Sequence, residues 1–484
     1  MTAALTHLLR DRGLLVLLAL MLLGLPLITT RIYASDEIKY FAYLHSLSFD
    51  RDLDFTNDYQ HWVDQALQGK KPDIQRAALL KTLLKPNPAT GLPINEAPIG
   101  TAILWAPAFA LAHLGVLAAR ALGAKVAADG YSQPYIAAVC YASYLYGWAG
   151  LLLIYGLLRR FWDQFAAALA TLTVWLGTSA FFYMVIAPPW SHSASLFTVS
   201  LFTTVWLRTR RPAGRSLREW ALLGFCAGLM MLVREQDALF LALPAVESVL
   251  RLLQGKGGPR AEPRLTEGKG SAVRWASGWA LMLLTAAITF IPQLVVYEVL
   301  GGRLGPSSTV GEKLNWLSPH ALSVLLDPQY GLLPWAPVVL PALVGLGLLW
   351  RRDRGLATAL LVAFIAQVWI AGAFSTWQGK SSFGQRRFVN CTVLFALGLG
   401  SVIGWARERG VSRALIALLG VLFVAWEGGL AVQYSALWNS ARRQAGLEWP
   451  GVIADQLGLP GQLPGIVRRF LFDRKSFFSG ESGR

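Results

Sequence analysis

Apolar runs of about 20 residues recur along this chain, and each is long enough to cross a hydrocarbon core of about 30 Å as a helix. That recurrence constrains the fold more than any motif does. The chain has 484 residues, of which 54% are hydrophobic and 15% charged, where a soluble domain is nearer about 25% charged. An all-α polytopic membrane protein is expected. The net charge of +16 does not point to nucleic acid, because the basic residues are spread between the apolar runs. Loop anchoring at a membrane surface accounts for them.

Cys140, Cys226 and Cys391 lie within or beside apolar runs, without CxxC spacing, and read as structural thiols. Arg10 and Arg12 precede the first run, as in a signal peptide. Ile32 and Tyr33 spoil any small-residue cleavage site, so an uncleaved anchor with a cytoplasmic N-terminus is expected.

Basic clusters mark the cytoplasmic side. They are Arg10/Arg12, Arg159/Arg160, the group from Arg208 to Arg218, the group from Arg251 to Arg274, Arg351/Arg352/Arg354 and Arg407/Arg409/Arg413. After Arg159, two apolar segments separate each neighbouring pair. Before it lie three, at 13–30, 98–122 and 134–158. Three crossings would invert every later loop, so 98–122, which carries Pro98 and Pro107, is expected to lie along or dip into the outer leaflet. About eleven spans result: 13–30, 134–158, 164–186, 193–208, 219–233, 237–253, 275–297, 331–350, 355–373, 388–405 and 413–433. Residues 1–433 then form the transmembrane domain, with a first outer loop over 31–131, and 434–484 an outer, mostly irregular tail. Residues 255–270 read as a flexible cytoplasmic loop whose lysines and glycines do not match a P-loop.

The first outer loop is acidic in an otherwise basic protein. It opens with Asp36 and Glu37 and continues with Asp50, Asp52, Asp54, Asp58, Asp64, Asp73 and Glu96. Asp50, Asp52, Asp54 and Asp58 read as loop structure rather than a calcium site, since the glycine of an EF-hand loop is missing. Asp36 stands apart. It lies within a turn of the apolar run and is followed by Tyr40, Phe41, Tyr43 and Leu44. A carboxylate shielded at an interface is suited to general-base work.

An acidic pair just after the first span resembles the C-type (GT-C) glycosyltransferases, which use polyprenyl-phosphate-linked sugars. The similarity is greatest to the protein O-mannosyltransferase and aminoarabinose transferase group (glycosyltransferase family 39-like). "NEAPIGTAILWAPAFALAH", 95–113, is similar to the proline-led membrane-surface helix of that group. The resemblance covers roughly 10–410. Two features depart from it: "IAPPWSHSAS" carries His192 where metal-dependent relatives carry an acid, and Ala97-Pro98-Ile99 replaces the usual His-Pro-Pro. No cofactor is assigned, a divalent metal stays open, and no residue is assigned to one.

The resemblance implies transfer of one sugar from polyprenyl monophosphate to an acceptor hydroxyl on a glycan, lipid or protein, at the outer face of the cytoplasmic membrane. Asp36 would be the base, with Glu37 second, and the anomeric centre would invert. The leaving phosphate requires positive charge. The outer side offers Lys313, Lys380, Arg386, Arg387 and Arg234. "TWQGKSSFGQRRFVN", 376–390, is the strongest stretch, because its arginines run against the positive-inside bias. Arg234 reads equally well as an ion-pair partner of Glu235 or Asp237. His192 is a weaker substrate-site candidate, and Glu427 is either intramembrane and paired or just emerging. The sequon at Asn390 begins a span and is discounted. Trp316, Trp335 and Trp377 fit an outer aromatic belt. The rival readings are a transporter or lipid-carrier flippase, against which stand one-sided acids and no repeat, and a non-catalytic envelope assembly protein.

Overall fold

The computed structural model describes residues 10–68, 72–211, 214–254, 269–306, 311–474 and 477. Most of the loop expected to be flexible, 255–268, lies outside the described residues. Within them the regular structure is helical, and the only extended pairings are isolated bridges, Pro86 with Pro93 and Leu314 with Phe374. Six helices are long and apolar enough to cross a membrane: Gly100–Ala121, Gln133–Leu158, Val273–Gly301, Arg354–Ala373, Arg386–Glu408 and Arg413–Leu437. Arg12–Leu27, Gln164–Leu176 and Val339–Leu349 are shorter apolar segments. The protein is a polytopic helical membrane protein.

The bundle has two chemically different ends. At one end the basic clusters are tied together by ion pairs and carbonyl contacts. Arg159 meets Asp11 at 3.3 Å and donates to the Trp162 carbonyl at 2.8 Å. Arg352 reaches the Phe161 carbonyl and Glu408. Arg210 makes a two-pronged contact with Asp353 at 2.7 and 3.1 Å. Arg215 and Arg251 share Glu247 at 2.9 and 3.0 Å. Because Asp11 and Arg159 meet, the chain between them returns to the end it left.

The Gly100–Ala121 helix bears on that return. It runs antiparallel to Gln133–Leu158. The Tyr146 hydroxyl donates to the Leu104 carbonyl at 2.9 Å, and His113 lies 2.7 Å from the Tyr135 hydroxyl. It therefore starts beside the middle of its neighbour and runs away from Arg159. Its first turn abuts Leu232 and Val233, at the far end of the Leu217–Val233 helix.

The interior is packed by small residues and by buried hydroxyls, some of which bond back to their own helix while others, such as Thr203 and Thr204, have no hydrogen-bond partner among the described residues. His192–Thr209 is polar for an inner helix, yet Ser193, Ser195, Thr198, Ser200, Thr203 and Thr204 are all buried along it. Thr198 donates back to the Ala194 carbonyl at 3.0 Å, so its hydroxyl needs no partner on another helix. Gly224 and Gly228, four apart, let the Leu217–Val233 backbone approach Met282, Thr285 and Ala286 so closely that a Cβ at either glycine would overlap backbone atoms.

Three sequence expectations need correction. The 434–484 tail is not mostly irregular: Ser440–Ala445 and Gly451–Phe472 are helices. Val452, Leu459 and Ile466 are buried at seven-residue spacing, which is one helix face, while Pro460 and Pro464 sit on the exposed side. Trp335 and Trp377 do not form a belt. They are only 3% and 6% exposed, and Trp316 alone of the three is open at 65%. Glu427 is buried at 1% exposure, and among the described residues neither carboxylate oxygen has a hydrogen-bond partner.

Candidate functional site

The end opposite the ion-paired one gathers most of the polar residues singled out in the sequence. The Ser35–His45 helix begins immediately after the first apolar segment, with both acids in its first turn. They face different ways. Glu37 folds back, accepting from the Tyr33 and Ala34 backbone N–H groups at 2.6 and 3.0 Å. These are donors that a helix start leaves open. Its other oxygen accepts from the Trp190 indole at 2.7 Å. Glu37 is 5% exposed, and burial pushes its carboxyl above the usual range against the pull of those donors. Its oxygens are spent on holding the turn.

Asp36 points outward, its side chain 37% exposed and 3.3 Å from Arg386. The Arg386 guanidinium lies over the Trp190 ring at 4.3 Å. Trp190 therefore joins the two acids: its N–H fixes Glu37 and its face seats the cation that meets Asp36. Tyr40, one helical turn after Asp36, donates to the Ser191 hydroxyl at 2.8 Å.

His192 is buried beside this group, stacked at 19° on Trp190. Its Nδ1 lies 2.5 Å from Arg234. A guanidinium can only donate, so Nδ1 is an acceptor and the imidazole is neutral with its hydrogen on Nε2. Arg234, Arg386 and Arg387 all lie within electrostatic reach of His192. The alternative pairing of Arg234 is not what the fold uses: Arg234 donates to Gln236 at 3.1 Å, Glu235 is bonded to Tyr297, and Asp237 takes Ser195 and Asn390.

Arg234 immediately precedes the short helical turn Glu235–Leu241, Arg386 and Arg387 open the turn Arg386–Cys391, and the two turns are hydrogen-bonded together. Asn390 donates to Asp237 at 2.8 Å and to Gln367 at 3.0 Å. Gln236 and Gln367 both donate to the Arg387 carbonyl, at 3.3 and 3.0 Å. Arg387 is held by the Trp377 carbonyl and Thr376 hydroxyl at 3.2 and 3.3 Å. Lys380 is exposed on the preceding loop, between Gly379 and Ser381, which have φ of 59° and 61°. Lys313 is elsewhere: it pairs with Glu96 at 3.0 Å, and Glu96 also meets Lys39 at 3.5 Å. Of these residues Glu96 and Arg234, with Glu235, line a cleft of about 200 Å³ together with Tyr40, Gln236, Tyr297 and Phe374, among others; Asp36, Arg386 and Arg387 are not in its lining.

Sequence reasoning missed Trp190, Tyr40 and Asn390. Tyr40 was legible as the i+4 neighbour of Asp36. Asn390 was noticed only as a sequon. At 1% exposure, with its amide donating twice, it is a structural clamp. Nothing local marks Trp190, whose role arises 153 residues from Glu37.

Fold and site together define a helical membrane protein with a carboxylate and several arginines gathered at one end. No protein-family model matches the chain, and no curated protein matches it. Among solved structures the chain is similar to ArnT from Cupriavidus metallidurans in its apo state, at 14% identity and a TM-score of 0.44. That match covers 95% of this chain and 76% of the other. A likeness so distant transfers no activity.

Proposed function

We propose that the protein is a GT-C-type glycosyltransferase. It would move a sugar from a polyprenyl-phosphate donor to an acceptor hydroxyl at the outer face of the cytoplasmic membrane. The observation that carries this reading is Asp36 beside Arg386 on Trp190, with Arg234 and Arg387 alongside. A carboxylate open to the surface, with Arg386 as its one ion-pair partner among the described residues, is suited to take a proton once that cation turns to the donor. The cations around it are suited to an anionic group, and a guanidinium fork matches phosphate.

Asp36 takes the acceptor O–H proton, and the acceptor oxygen forms a bond to the anomeric carbon. The bond from that carbon to the phosphate oxygen breaks, and the phosphate leaves with the electron pair. Attack opposite the leaving group inverts the centre. The leaving phosphate competes with Asp36 for Arg386, which frees the carboxylate when the donor is bound. Glu37 positions Asp36 rather than replacing it. His192, being neutral, holds Arg234 in place. Lys380 stands at the rim, and Lys313 reaches the cleft only through Glu96.

The topology we propose has eleven spans, with the Asp11–Arg159 end in the cytoplasm and the Asp36 end outside. Its support is the ion-pair chain joining the basic loops. The test is mass spectrometry of envelope glycans in a deletion strain carrying wild type or Asp36→Asn, with both proteins verified in the membrane. A sugar that vanishes on deletion and returns only with wild type supports an enzyme and identifies its acceptor. Full restoration by Asp36→Asn removes Asp36 as the base. It leaves the assembly-protein reading standing.

A further inference from the structure

A second polar cluster lies in the same outer loop, away from the arginines. His45 closes the Ser35–His45 helix, Asp50 ends the π-helical turn Ser46–Asp50 that continues it, and Asp58 lies in the first turn of the Thr56–Leu67 helix. One ligand atom from each lies within 4.8 Å of the other two. His45 Nδ1 is 2.9 Å from Asp58 and 3.3 Å from Asp50. The Tyr131 hydroxyl is 3.0 Å from the same nitrogen and 2.8 Å from Asp58.

Hydrogen bonding makes this arrangement incomplete. His45 Nε2 lies 3.1 Å from the Asp129 carbonyl, which can only accept, so Nε2 carries hydrogen. In the neutral ring Nδ1 is then a lone pair, and it faces two carboxylates. Such a set is satisfied either by a second proton on the ring, with the Tyr131 hydroxyl donating to Asp58, or by a metal cation held between the three groups. Asp58 is 0% exposed, and its second oxygen has no hydrogen-bond partner among the described residues. A fully buried carboxylate left half-satisfied is costly unless a positive charge meets it.

We propose that His45, Asp50 and Asp58, with the Tyr131 hydroxyl on the fourth side, bind one divalent ion of the zinc type. One imidazole nitrogen with carboxylate oxygens suits a borderline ion better than calcium. In a tetrahedral site with bonds of about 2.0 to 2.1 Å, the ligands stand about 3.3 Å apart, close to the 2.9 and 3.3 Å that separate His45 Nδ1 from Asp58 and Asp50. The ligands are already held in place: the Asp129 carbonyl fixes the imidazole tautomer, and Asn57 holds Asp50 at 3.0 Å. Asp50, with 28% of its side chain exposed, opens the site to entry. The ion joins the 45–58 turn to the chain entering the Gln133–Leu158 helix. Asp52 and Asp54 take no part. They accept from the Asp54 and Thr56 backbone N–H groups at 3.1 and 3.0 Å, as loop residues do.

The full-length protein, purified without a tag, would be stripped with chelator, equilibrated with Zn²⁺, desalted and assayed by elemental mass spectrometry. Wild type should retain about one ion per chain. Loading with Co²⁺ should give the visible absorption of a four-coordinate site. Asp50→Asn, at an open position that tolerates change, should bind Zn²⁺ at least about ten-fold more weakly. His45→Gln should lose the cobalt spectrum, and Asp52→Asn should behave as wild type. Wild type that retains no zinc overturns the proposal and leaves His45 as a protonated partner of Asp58. Equal retention by wild type and Asp50→Asn overturns it too, because the ion is then held elsewhere.

Discussion

At the scale of single residues, the two adjacent acids that open the first loop have separate duties. Asp36→Asn removes a base and should lower turnover by about 10²-fold or more, with thermal stability nearly unchanged and KM for the donor no higher, since Asp36 no longer competes with the donor phosphate for Arg386. Glu37→Gln should do the reverse. It keeps the bulk but weakens the acceptor for two backbone donors and an indole, so the melting temperature falls while residual activity survives. Measuring both quantities on both variants separates the roles, and an Asp36→Asn protein with full turnover contradicts the assignment. Trp190→Phe keeps a ring beneath Arg386 and deletes the N–H to Glu37. It should destabilise by about 1 to 3 kcal/mol. The acids themselves were legible in the sequence, because charge next to an apolar run is anomalous. Their division of labour was not, since it depends on a tryptophan that only the fold brings to them.

At the scale of elements, the site depends on two short turns held in register. Arg234 and Arg386 are far apart in the chain, and the clamp between their turns is Asn390 on Asp237. Asn390→Leu leaves that buried carboxylate with Ser195 as its remaining side-chain hydrogen-bond donor. A loss of about 1 to 3 kcal/mol is expected, together with a raised KM for the lipid-linked donor as the arginines lose their alignment. A fall in stability without any change in KM would show that the clamp does not position the arginines. The sequence presented these arginines as anomalies on the outer side but gave no means of pairing the turns. Tertiary hydrogen bonds between short loops leave no periodicity. Helix packing was more legible. Gly224 and Gly228 form a GxxxG pattern, and Gly224→Leu drives a side chain into the Met282 backbone. That variant should be much less stable in detergent, whereas a leucine at Gly347, where a Cβ meets nothing within 4 Å, should be tolerated.

For the whole molecule, the question is which end faces which compartment. The parity argument from basic clusters needed one apolar stretch, 98–122, to make no crossing. The ion pair between Asp11 and Arg159 requires the intervening chain to return to its starting end, and the Gly100–Ala121 helix starts beside the middle of its neighbour. The tail, expected to be mostly irregular, is helical over Gly451–Phe472, where the buried seven-residue spacing sets one face against the protein. Side can be read chemically, since Cys140, Cys226 and Cys391 are all buried and leave little background. Lys125→Cys follows the disputed helix, Ala441→Cys lies in the tail, and Arg351→Cys sits among the ion-paired loops; all three positions are exposed. A membrane-impermeant maleimide applied to intact cells should label the first two, and the third only after the membrane is opened. Labelling of Arg351→Cys in intact cells would place the arginine-rich site inside and rule out an outer-face transferase. Labelling of Ala441→Cys but not Lys125→Cys would instead mean that the Gly100–Ala121 helix crosses, and the first loop would need a new path back to Arg159.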